Sequence, residues 1–174
     1  MKVRSGFVSN SSSSSFVVTF KDVPETTEDL RKILFGERTE YHSPYGTECW
    51  PVDQIVEIVW NDMQDGPATL EECKETMEGV HVSDVLTDQM MNQLGFMRMP
   101  EVDYHDKSAD RWNRYEKAMG EYYAQFHRLI DTKAVEEKRV FTFSYSNNDG
   151  DMFAAMEHGD LFDHALNVIK TSHH

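Results

Sequence analysis

Residues 11–20 read SSSSSFVVTF, and the junction between the serines and the apolar run decides the fold. A linker has no reason to end directly against Phe16-Val17-Val18-Thr19-Phe20. That run, β-branched and aromatic, reads as a short strand from Phe16 to Phe20, stopped by Pro24. Phe7 and Val8 precede the serines as a second apolar anchor. A polar tract tethered at both ends has a modest closure entropy. Ser9 to Ser15 are therefore expected to lie against the fold, and loss of residues 1–15 to destabilise it.

A strand near the start of the chain needs partners, and the far end offers them. Residues 139–146, RVFTFSYS, alternate in polarity; residues 147–151, NNDGD, read as a turn. Residues 152–158, MFAAMEH, can return as the second arm of a hairpin, and residues 166–172, LNVIKTS, as a last strand.

Helical spacing fills the middle. Residues 26–35, TTEDLRKILF, carry a threonine cap with Leu30, Ile33 and Leu34 on one face. Pro51 suits a helix start, and Val52, Ile55, Val56, Val59, Trp60 and Met63 follow at helical intervals. Thr69 with Glu72 forms a capping-box pattern ahead of Leu70, Cys73 and Met77. Ser83 to Leu94 reads as a further helix stopped by Gly95. The longest stripe, Trp112, Tyr115, Met119, Tyr122, Phe126, Leu129 and Ile130, predicts one helix over about residues 109–137 with its aromatics in the core. Between these elements, residues 36–50, GERTEYHSPYGTECW, read as a loop. Its Tyr41, Tyr45 and Trp50 are expected to pack over the core; His42, between the two tyrosines, is a candidate groove residue.

Strands at both ends with helices between them predict an α+β fold: a small antiparallel or mixed sheet, the N-terminal strand plus a C-terminal hairpin, covered on one face by several helices. At 174 residues the chain is expected to be a single domain, 1–174. Within it lie a serine-rich segment over 1–15, a mainly helical acidic region over 22–137 and C-terminal strands over 139–172. Folding a chain of this size hides roughly 70 % of its unfolded surface, enough for a core without staples. Cys49 and Cys73 show no CxxC spacing and read as two buried thiols in a reducing cytosol. Lys2 and Arg4 are not followed by an apolar signal region, and the acid-free, serine-rich first 21 residues lack the amphipathic helix of a transit peptide. No run approaches the ~20 apolar residues of a membrane span. The expectation is a cytoplasmic protein with no membrane contact.

The formal charge of −14 is unevenly spread. Residues 22–110 hold 21 of the 31 acids against six Lys/Arg, a local net of −15. A field of that sign repels nucleic-acid phosphate, so direct nucleic-acid binding is disfavoured. An acidic half of this kind either solvates the protein or engages a basic protein partner.

Two clusters could carry chemistry. At the opening, Lys2 and Arg4 with the hydroxyls of Ser11 and Ser12 could cradle a phosphate, although the G-x-x-x-x-G-K-[ST] loop is absent. At the close stand Asp149, Asp151, Glu157, His158, Asp160, Asp163, His164, His173 and His174. Asp149, Asp151, His158, His164 and His173 are the candidate ligands of a divalent metal, which needs N/O donors converging on one point. No H-E-x-x-H pattern exists, and NNDGD lacks the distal Glu of an EF-hand.

The opening RSGFVSNSSSSSF resembles the N-terminal signature of a set of bacterial and bacteriophage proteins that begin with a basic residue, GFVSNSSSSSF and a strand. The match covers about the first sixteen residues. The ending FSYSNNDGD…EHGDLFD…SHH is similar to the close of some such proteins, which implies that the terminal histidines are native. The resemblance implies a bacterial or phage source and transfers no catalytic residue, since the set has no established activity. The leading expectation is a small phage- or mobile-element-type accessory protein that binds a basic partner. The alternative is a metal-dependent hydrolase or nucleotide-processing enzyme built on the C-terminal cluster.

Overall fold

The structure, a computed structural model, describes residues 13–77, 88–163 and 167–173. Its centre is β1 (Ser13–Thr19), flanked by β4 (Val140–Ser146) and β5 (Asn167–His173) in the order β4-β1-β5. Both pairings are antiparallel. Ser15 stands opposite Ser144 on one side and Thr171 on the other; Val18 stands opposite Phe141 and Val168. The strand thus begins three residues earlier than its apolar run, and Ser13, Ser14 and Ser15 are rungs of the central ladder. Ser9 to Ser12 lie outside the described residues.

Side chains alternate across a strand, so each face of the sheet takes every second residue. Phe16, Val18, Phe141, Phe143 and Tyr145 join one core with α1 (Thr27–Phe35), α2 (Val52–Met63) and α7 (Asp151–His158). Val17, Val140 and Ile169 join a second core with α3 (Leu70–Met77), α4 (Asp88–Gln93), α5 (Arg111–Phe126) and α6 (Thr132–Glu136). The sheet is therefore covered on both faces, not one. The unbroken FVVTF run is the reason, since a strand buried on both sides has no polar face to show. The fold is α+β, and no helix among the described residues is long and apolar enough to cross a membrane.

The helix starts follow from local chemistry. Thr26 accepts from the Asp29 amide at 3.1 Å and caps α1. Thr69 and Glu72 close the capping box reciprocally: Thr69 N–H donates to Glu72 Oε2 at 2.7 Å and Glu72 N–H to Thr69 Oγ1 at 3.2 Å. Pro51 precedes α2, whose Val52, Ile55, Val56, Val59 and Met63 are buried.

Several expectations are corrected. Residues 151–158 form helix α7, not a hairpin arm, so among the described residues β4 pairs with β1 alone, and β5 follows later. Met152, Phe153 and Met156 recur at helical spacing against the first core, a period that a short apolar run conceals. The stripe over residues 109–137 is divided among α5, a 3-10 turn over His127–Leu129 and α6. Ile130 is extended at φ −70°, ψ 124°, and Asp131 caps a new helix by accepting from the Ala134 amide at 3.0 Å. Trp112, first in that stripe, is 49 % exposed. Residues 36–50 contain a small antiparallel pair, β2 (Glu40–His42) and β3 (Cys49–Pro51). Tyr41 is fully buried there, while Tyr45 is 77 % exposed with its ring edge against His158. Of the two thiols, Cys73 is buried and Cys49 exposed.

Candidate functional site at the β4 edge

A concavity lies where the chain passes from α2 to α3. Helix α2 unwinds through turn bonds from the Asp65 amide to the Asp62 carbonyl (3.3 Å) and the Gly66 amide to the Met63 carbonyl (3.0 Å). Gly66, at φ +95°, makes the reversal that an L side chain would resist. Pro67 and Ala68 then carry the chain around the outer edge of β4, from the core under α2 to the core under α3. The Ala68 amide donates to the Val140 carbonyl at 2.8 Å. A cleft of about 430 Å³ is left between this connection, α3 and β4. Its lining includes Asp62, Asp65, Glu72, Thr76, Ser15, Thr142 and Ser144.

No lysine or arginine lines the cleft among the described residues. Asp62 accepts from the Tyr145 hydroxyl at 3.2 Å. The Thr69 amide, and after it the Thr69 hydroxyl, hold the Glu72 carboxyl below its usual range. Asp65 is exposed, with no ion pair among the described residues. Ser15, Thr142 and Ser144 add hydroxyl-bearing residues to the lining, and Ser15 Oγ donates to Ser144 Oγ at 3.3 Å.

A second groove of about 460 Å³ between α1 and α2 is a different surface. Its Arg31 is consumed structurally, donating to Asp53 Oδ1 (3.0 Å) and to the carbonyls of Gly36 (3.0 Å) and Arg38 (2.9 Å). Arg31 ties the end of α1 to the start of α2.

The C-terminal residues expected to hold a metal are spread along α7. Asp149 sits in the turn before it, Asp151 is its first residue and His158 its last. A helix of that length puts its ends roughly 10 Å apart, so these donors do not converge. His158 Nε2 lies 3.4 Å from Glu157 Oε1, and the fully buried Glu157 accepts the Asn147 amide at 2.9 Å. Asp160 is paired with Arg38 at 2.8 Å. His164, His174 and the side chain of His173 lie outside the described residues, as do Lys2, Arg4, Ser11 and Ser12. Among the described residues no three His, Cys, Asp or Glu side chains are placed to hold a metal. No family model, curated protein or solved structure matches the chain.

The cleft residues were not singled out by sequence reading, which took Glu72 only as a cap. One signal was present: the hydroxyls of Thr142, Ser144 and Ser146 fall on alternate positions of β4, where a two-sided strand would be apolar.

Proposed function

We propose that this chain is a small cytoplasmic accessory protein of phage or mobile-element type that works by binding a basic protein partner. One observation carries the reading: the acid-rich half turns its carboxylates outward and leaves many unneutralised. Asp22, Glu25, Glu37, Glu57, Asp65 and Glu75 are all exposed, with no ion pair among the described residues. Like charges held this way raise the local potential and repel phosphate, while a lysine- or arginine-rich surface relieves the repulsion on docking. The partner gains steering and register more than raw affinity. The opening resemblance to phage and bacterial proteins bears on the source alone and adds no role.

The test is capture from a bacterial lysate by the immobilised chain at low and at high ionic strength. Basic proteins retained at low salt and released at high salt are the expected result. An empty eluate, or a retained set indifferent to salt, overturns the reading.

A further inference from the structure

Among the described residues the two strands flanking β1 are the edges of the sheet, and the ladder parity shows which backbone groups of β4 are used. The Phe20 amide donates to the Arg139 carbonyl at 2.9 Å, so residues 139 and 20 are a hydrogen-bonded pair. Such pairs recur at every second residue of an antiparallel ladder. Phe141, Phe143 and Tyr145 therefore bond to β1, whereas Val140, Thr142 and Ser144 direct their amides and carbonyls away from it. The Ala68 amide takes the Val140 carbonyl, which confirms the parity. The outward groups of Thr142 and Ser144 have no backbone partner among the described residues. They open into the cleft just described.

A row of unpaired strand groups is a template for another strand, and proteins ordinarily cover or blunt it. Here the covering connection reaches only Val140. On one side of the exposed edge stands Asp62, at the end of the helix that packs on the Tyr145 face. On the other stand Glu72 and Thr76, on the helix that packs on the Val17 face. A strand laid along β4 would send alternate side chains toward each side, and each side presents a carboxylate.

We propose that the β4 edge is the addition site for an extended, basic segment of the partner protein, which docks as a further strand beside Thr142 and Ser144. Main-chain hydrogen bonds supply the affinity, and Asp62, Asp65 and Glu72 select lysine or arginine at alternating positions. The proposal rests on the binding role above and names where and how the partner is held. A second copy of this chain fits the edge poorly, because pairing edge to edge would set the same carboxylates against one another.

Fluorescence anisotropy with a labelled Lys-Val-Lys-Val-Lys-Val peptide tests it, using the full chain. The expected result is salt-sensitive binding that weakens at least about tenfold when the peptide backbone is N-methylated and disappears when Glu replaces Lys. Ser144→Pro should reproduce the first loss with an unchanged circular dichroism spectrum, since the amide it removes points away from β1. Equal binding of the parent and N-methylated peptides overturns edge addition while leaving the acidic-surface reading intact. No binding of the parent peptide also overturns it, and lysate capture then judges the wider reading by itself. Self-association of the chain that Ser144→Pro abolishes would make the occupant a second copy, contrary to the proposal.

Discussion

The Tyr41 hydroxyl occupies the space where residue 159 would carry a β-carbon. A Cβ built on Gly159 falls on Tyr41 Oη and crowds the Ala155 carbonyl, to which that hydroxyl donates at 3.1 Å. The close approach brings the β2–β3 pair onto the end of α7. Gly159→Ala is therefore expected to cost about 1–3 kcal/mol by overpacking, read from thermal melts. The penalty should shrink in a Tyr41→Phe background, where the hydroxyl is gone. An unchanged melting temperature for Gly159→Ala alone would show that Tyr41 moves aside freely.

Tyr41 also sets an alkaline limit. Burial, and after it the charge of Asp160, push its phenol above the ordinary value of 10.0. The folded state thus holds this proton more tightly than the unfolded chain does. Its contribution is complete below pH 10 and is lost as the pH rises beyond that toward the folded value. Stability measured by denaturant titration should fall through this range, and Tyr41→Phe should flatten the fall. Near neutral pH the same substitution should cost about 1 kcal/mol for the lost hydrogen bond. Burial also raises the Cys73 thiol and the phenols of Tyr122 and Tyr123, so part of the slope should persist. A fall as steep in Tyr41→Phe as in the parent would assign it to those groups.

The serines answer to position along β1. Ser14 is fully buried on the aromatic face, opposite Tyr145, and its Oγ has no hydrogen-bond partner among the described residues. A buried hydroxyl without a partner is a cost, so Ser14→Ala should keep the melting temperature or raise it by up to about 3 °C. Deleting residues 1–15 should do the reverse, because it removes three rungs that pair with both β4 and β5. A Ser14→Ala chain that melts well below the parent would mean the hydroxyl has a partner that matters. A truncated chain that melts like the parent would make the opening dispensable to the fold.

What sequence reading reached, and what it missed, divides by the range of the interactions. The Thr69–Glu72 box, the Thr26 cap and the buried face of α2 are set within one or two helical turns, and all three are legible as residue patterns. The break at Ile130 is nearly as local, yet the apolar stripe runs through it and hides the cap that Asp131 provides. Residues 152–158 are too short for their apolar pattern to separate strand from helix, and packing against Phe16, Phe143 and Tyr145 settles the matter. The sheet was expected to be covered on one face; FVVTF is compatible with two, and Cys73, Met77 and Phe126 on distant elements supply the second. The cleft was out of reach. It exists because residues 62–76 wrap the edge of a strand formed by residues 140–146, and no spacing in the chain encodes that meeting.

The central claim, that the acidic half holds a basic protein, is tested most directly by charge reversal on the chain itself. Asp65→Lys with Glu75→Lys alters two exposed carboxylates that have no ion pair among the described residues, so the fold should melt unchanged. The measurement is the affinity of a lysate-captured basic partner for the parent and the double variant, by calorimetry at low and at high salt. The expected result is at least about a tenfold loss in the variant at low salt, converging with the parent as salt rises. Equal affinity of the two chains at low salt would contradict the claim.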